Sequence, residues 1–124
     1  MDGSRITLAT VVLDCPDANS LADFYATLLG WEISLRESDW VLMRSPAGGT
    51  GLAFQSEAWY QPPVWPEQAG HQTKMLHLDL RVHDLEAAVG QAVSAGATLV
   101  EYQPQDDVRV LLDPAGHPFC LFLD

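Results

Sequence analysis

His77, Cys120 and the carboxylates Asp14 and Asp79 are the side chains whose types could carry proton transfer, nucleophilic attack or cation binding in this sequence. Histidine exchanges protons nearest neutral pH, so His77 is a candidate catalytic base or a residue that orients a ligand. Its structural alternative is a hydrogen bond without chemistry. Strand alternation puts His77, Asp79 and Arg81 on one face with Met75 on the same side, which describes a partly polar wall. Cys120 lies in an apolar run, where a thiol packs as a small hydrophobe unless a base or a positive charge activates it. Asp14 and Asp79 could hold a basic group if they face the same space, or sit at strand margins in water. His117 precedes Pro118 in a turn and reads as a loop or rim residue. Arg44 and Arg109 are scarce basic residues, able to balance an acidic ligand or to pair with a carboxylate.

The aromatic residues offer recognition more than chemistry. Trp31 and Trp40 lie near strand starts, whereas Trp59, Tyr60 and Trp65 fall in an irregular stretch with three prolines between Ser56 and Thr73. Their rings suit closure over an apolar ligand. The competing reading is that they anchor the stretch to a sheet or to a second chain.

These residues need elements to position them, and the pattern supplies a repeated set. Ser45-Pro46-Ala47-Gly48 returns as Asp113-Pro114-Ala115-Gly116, and an extended run followed by an amphipathic helix precedes each copy. Ile6 to Cys15 is β-branched and apolar enough for a strand that Pro16 and Asp17 end. Ser20 and Asp23 stand at capping-box spacing, with Asp17 or Asn19 as alternative caps. Leu21, Phe24, Tyr25, Leu28 and Leu29 form a helical face, and Gly30 supplies a left-handed stop. Short strands are expected at Trp31 to Arg36, Asp39 to Arg44 and Gly51 to Gln55. The second half runs through a strand at Met75 to Val82, a cap at Asp84 and a helical face of Leu85, Ala88, Val89, Ala92 and Val93 ending at Gly96. Strands at Thr98 to Tyr102, Val108 to Leu112 and Phe119 to Leu123 complete a second βαβββ module.

Composition bounds the function classes. With 124 residues, 48% of them apolar, the chain is expected to form one domain over 1–124: module 1 over about 5–56, a crossing segment over about 57–73 and module 2 over about 74–124. Seventeen acidic against six basic residues give a net charge of −11, which disfavours nucleic acid and anionic membranes as partners. No apolar stretch reaches the length of a membrane span, the N-terminus has no signal-like pattern, and two cysteines make no secreted disulfide scaffold. A cytoplasmic protein is the expectation.

Three motifs carry a resemblance: Phe24-Tyr25 followed by Leu28-Leu29-Gly30-Trp31-Glu32, the run His77-Leu78-Asp79-Leu80, and Asp113-Pro114-Ala115-Gly116-His117-Pro118-Phe119. With the modular repeat, they make the chain resemble the vicinal oxygen chelate superfamily, which contains glyoxalase I, extradiol dioxygenases, epimerases and bleomycin or fosfomycin resistance proteins. It looks most like the small bacterial glyoxalase-like proteins. The resemblance implies an α+β fold in which two tandem βαβββ modules build a curved mixed sheet around a cavity, and a homodimer.

Metal-dependent members of that superfamily place a ligand on the first and last strand of each module. Aligning Asp17 with Asp84 sets Thr10 opposite His77, and aligning the Pro-Ala-Gly turns sets Leu52 opposite Cys120. The implied quartet is therefore Thr10, Leu52, His77 and Cys120 in place of the usual histidine and carboxylate set. Leucine donates nothing and a threonine hydroxyl is a weak ligand, so no metal ligand and no cofactor is assigned, with a divalent metal as the alternative. A register shift would bring in Gln55, but strand parity relative to Leu52 argues against it. The resulting expectation is a protein that binds a small, partly aromatic molecule through Thr10, Leu52, His77, Cys120, Trp59 and Trp65. The alternative is a lyase, isomerase or dioxygenase-like enzyme with an atypical metal site or metal-free acid–base chemistry at His77.

Overall fold

The structure is a computed structural model that describes residues 5–123, so the expected domain limits at 1 and 124 lie outside the described residues. The chain divides into two compact units, Met1–Glu57 and Ala58–Asp124. Each carries one helix and a four-stranded mixed sheet, giving the expected pair of tandem βαβββ modules and the α+β class. No helix among the described residues is long and apolar enough to cross a membrane.

In the first unit, β1 (Thr10–Cys15), α1 (Ala18–Leu29), β2 (Glu32–Arg36), β3 (Trp40–Arg44) and β4 (Gly51–Ser56) follow in order. The sheet order is β1-β4-β3-β2, with β1 parallel to β4 and the other pairs antiparallel. Pro16 and Asp17 turn the chain from strand to helix. The cap is Asp17, whose carboxylate accepts from the Asn19 and Ser20 amides at 3.1 and 3.4 Å and from the Ser20 hydroxyl at 2.9 Å. Gly30 ends the helix at φ 69°, a left-handed conformation that glycine adopts without a Cβ penalty. Leu21, Ala22, Phe24 and Tyr25 are buried against the sheet, and the Tyr25 ring stacks on Phe54 of β4 at 5.7 Å.

That stack fixes the two sides of the sheet. Leu52 shares parity with Phe54 and lies on the helix side, whereas Ala53 and Gln55 share the open side with their ladder partners Val12 and Asp14. Thr10, two residues before Val12, belongs to the same open side.

The second unit runs through β5 (Leu78–Val82), α2 (Leu85–Ala95), β6 (Thr98–Leu99), β7 (Val108–Leu112) and β8 (Pro118–Leu123), in sheet order β5-β8-β7-β6. Asp84 caps α2 by accepting from the Ala87 amide at 3.0 Å. The α2 face is thinner than its sequence implies: Ala92 is buried, Val89 is half-buried and Val93 is 46% exposed.

Several strands are shorter than expected, for a common reason. β1 and β5 begin only where a parallel partner begins, at the Thr10↔Gly51 and Leu78↔Phe119 pairs, so Ile6, Leu8 and Met75 precede the ladders and are exposed. β6 stops at Leu99 instead of Tyr102 because a side chain takes over its bonding: Gln103 donates to the Val100 and Val110 carbonyls and accepts from the Val110 amide.

The two Pro-Ala-Gly turns close with the same bond, Gly48 N–H to Ser45 O and Gly116 N–H to Asp113 O. The first then spends one more residue, Gly49 at φ 85°, before its strand starts. In the ladders, therefore, Leu52 corresponds to Phe119 and Ala53 to Cys120, so an equivalence drawn from the turns is offset by one.

Candidate functional site

The α2 side of the second sheet packs Phe119 and Leu121 to near-zero exposure, so the opposite parity forms its open face. Asp79 of β5 and Cys120 of β8 are direct ladder partners on that face, and Arg81 and Phe122 are the next pair. His77 lies two residues before Asp79 and shares its side, just ahead of the ladder. A cleft of about 290 Å³ opens there, lined by His77, Asp79, Asp107, Val108, Cys120 and Phe122 with Gln105 and Leu123 at its margin.

Polar groups converge within this cleft. His77 Nε2 is 3.3 Å from Asp79 Oδ1, and one ligand-type atom from each of His77, Asp79 and Cys120 lies within 4.8 Å of the other two. The Cys120 thiol is pushed up from its ordinary value of 9.0, first by burial and then by the Asp79 carboxylate, which repels a thiolate and accepts the thiol's hydrogen bond. In this setting Cys120 is a protonated neighbour of Asp79 and not a preformed nucleophile. The wall beside it is apolar and aromatic, with the Arg81 guanidinium 5.7 Å from the Phe122 ring centroid.

The remaining candidates lie on other elements. Thr10 is half-buried at the start of β1 on the open side of the first sheet, while Leu52 is 7% exposed on the helix side of that sheet. Gln55 occupies the open side and donates to Glu57 at 2.6 Å. Trp59 is 91% exposed. Trp65 is half-buried, 6.3 Å from the Tyr102 ring and with the Lys74 ammonium 4.9 Å above it. Lys74 also pairs with Glu67 at 3.0 Å.

His117 serves the turn, as its position in the sequence implies. Its Nδ1–H donates to buried Asp113 Oδ2 at 2.8 Å, while Asp113 Oδ1 accepts from the Ala115 and His117 amides. Tyr60 donates to the Ala115 carbonyl at 3.0 Å, tying the crossing segment to this turn. Arg109 lies on the α2 side and donates to the Gln105, Asp106 and Val108 carbonyls, so it organises a loop.

The strand pattern revealed that His77 and Asp79 share a face. It did not reveal Cys120 as Asp79's neighbour, or Asp107, Val108 and Phe122 as lining, because those follow from β8 inserting between β5 and β7.

The donor chemistry does not fit the hard, octahedral ion of metal-dependent vicinal oxygen chelate enzymes. Such an ion is held there by histidines and carboxylates, whereas the implied positions supply an aliphatic side chain, a neutral hydroxyl and a thiol beside a single imidazole.

Comparison with solved structures shows the same fold in several bacterial proteins. A glyoxalase/bleomycin resistance protein/dioxygenase family enzyme from Burkholderia phytofirmans PsJN superposes with a TM-score of 0.72 at 17% identity, over 95% of this chain and 98% of that one. A glyoxalase-related enzyme from Fulvimarina pelagi gives 0.68 at 18% identity, over 98% and 88% of the two chains. A lactoylglutathione lyase from Agrobacterium tumefaciens gives 0.61 at 14% identity, over 99% and 96%. A search of curated proteins found no significant sequence match. The sequence profile of the glyoxalase-like domain matches residues 10–122. With the repeated βαβββ module, that match shows that the chain belongs to the glyoxalase-like domain family of the vicinal oxygen chelate superfamily.

Proposed function

We propose that this protein binds a small, partly aromatic molecule with a cationic group in the open cleft of its second module. The observation that carries the reading is the lining itself: the carboxylates Asp79 and Asp107 face the same space as Phe122 and Val108. An aromatic ring stacks on apolar and aromatic surface, and a nearby carboxylate favours an ammonium over a second anion. On this reading the whole chain works as one domain in the cytoplasm and as a homodimer, with no nucleic-acid or membrane partner.

Native mass spectrometry of chelator-treated protein against paired aryl-alkylamines and aryl-carboxylates tests the proposal. Amines are expected to bind, and both Phe122→Ala and Asp107→Asn to weaken them. Equal binding by both variants, or a preference for the carboxylates, contradicts it. The same spectra report subunit number, and a monomer at every concentration rejects the dimer.

The 3.3 Å approach of His77 to Asp79 favours a second reading, metal-free acid–base chemistry on the bound molecule. Under it, His77→Ala abolishes turnover while ligand binding and fold persist. Turnover unchanged in that variant rejects the catalytic role.

A further inference from the structure

We propose that the groove between α2 and the β6–β7 edge is a second binding site, for an α-amino acid with an aliphatic side chain. It lies on the α2 side of the second sheet, opposite the open face, and shares no lining residue with the cleft there. The claim is therefore independent of the aryl-alkylamine reading.

The groove exists because β6 is cut short. α1 buries Leu21, Ala22, Phe24 and Tyr25 against a sheet whose edge strand, β2, has five residues, whereas the edge strand beside α2 has two, Thr98–Leu99. Leu85 and Val89, one turn apart on α2, are consequently only half-buried, and Leu99 is 45% exposed. Between them opens a space of about 340 Å³ lined by Leu85, Glu86, Val89, Leu99 and Arg109. That volume is in the range of small-molecule sites.

Register accounts for the charges at the groove. Leu99 pairs with Leu111, so a longer β6 would set Glu101 opposite Arg109. β6 has ended by then, and among the described residues no carboxylate stands within ion-pair distance of Arg109. The guanidinium spends Nη1 on the Gln105, Asp106 and Val108 carbonyls, which holds it in place. Its Nε–H and Nη2–H donors have no partner among the described residues, and neither has the Glu86 carboxylate across the groove. Two opposite charges thus border one apolar groove without touching.

That pattern selects the ligand. The carboxylate of an amino acid takes the remaining edge of the Arg109 fork, its ammonium takes Glu86, and its aliphatic side chain covers Leu85, Val89 and Leu99. A plain carboxylate would meet Glu86 and a net charge of −11, and a plain amine would meet Arg109. A zwitterion has no net charge to be repelled and pairs with both groups. The lining holds no aromatic ring, which matches an aliphatic side chain.

Chemical-shift mapping of the isotope-labelled full chain with L-leucine alone tests the inference. Saturable shifts are expected at the Leu85, Val89 and Leu99 methyls and at Arg109 Nε–H, with Cys120 and Phe122 unmoved. Leucinamide, 4-methylpentanoate and glycine each lack one of the three contacts, so each should bind several-fold more weakly. Arg109→Gln is expected to weaken leucine by about tenfold or more, and Glu86→Gln by about two- to fivefold, as for an exposed ion pair. Arg109 also organises a loop, but Glu86 is exposed on a helix and the ligand series uses the unaltered chain, so misfolding cannot imitate the result. No saturable shift at these residues up to solubility-limited leucine overturns the site, as does 4-methylpentanoate binding as tightly as leucine. Tighter binding by Glu86→Gln would mean that Glu86 only competes for Arg109, which overturns the assignment to a zwitterion.

Discussion

At the residue scale, Asp79 sets the chemistry of the cleft. Burial and the adjacent carboxylate together hold the Cys120 thiol above its ordinary value, so alkylation of the metal-free protein at neutral pH is expected to be slow. Asp79→Asn removes the repulsion and the charged acceptor but leaves the burial. Its alkylation rate should therefore rise at neutral pH and its pH profile move down toward 9.0, whereas an unchanged profile would mean that Asp79 does not act on the thiol. The types of His77, Asp79 and Cys120 were readable in the sequence, and so was the shared face of the first two. The neighbour relation of Asp79 and Cys120 was not, because parallel pairing of distant strands leaves no local trace. The turn motifs even misled by one position, since the extra Gly49 shifts β4 against its turn.

At the element scale, caps and stacking hold the modules. Hydrogen bonds from the Ser20 hydroxyl and amide lower the Asp17 carboxyl below its ordinary value of 3.8. A group depressed in the folded state stabilises above its unfolded value, and this contribution is lost as pH falls through the lower folded value. Ser20→Ala should move the Asp17 titration back toward 3.8, read by carboxyl-carbon NMR, and an unmoved titration would reject the cap. Phe54 is fully buried against Tyr25, so Phe54→Ala is expected to cost about 3–5 kcal/mol in urea unfolding. Gly116 stands at φ 95°, and an added Cβ would meet the Pro62 Cβ at 2.8 Å. Gly116→Ala should thus cost more than about 1 kcal/mol, and a neutral effect would mean that the crossing segment does not pack on this turn. Periodicity located both helices and the cap at Asp84, because those signals are local, whereas the first cap is Asp17, one of several candidates at that end and not the Ser20–Asp23 pair. Strand ends were harder: the start of β5 depends on where β8 begins, and the end of β6 on a Gln103 side chain acting as a strand partner.

At the scale of the whole molecule, the duplicated module was legible because it repeats in the sequence, and the family follows from it. The ligand was not, because the acidic net charge is spread over the chain and only the folded second sheet gathers Asp79 and Asp107 beside Phe122. Family membership sets the scaffold, while the open face of that sheet is the proposed binding surface. Chemical-shift mapping of the isotope-labelled full chain during titration with an aryl-alkylamine tests it most directly. Saturable shifts centred on His77, Val108, Cys120 and Phe122 are expected, with no response to the matching aryl-carboxylate. Shifts confined to other residues, such as the Leu85 and Val89 groove beside α2, or no saturable shifts with the amine, would contradict it.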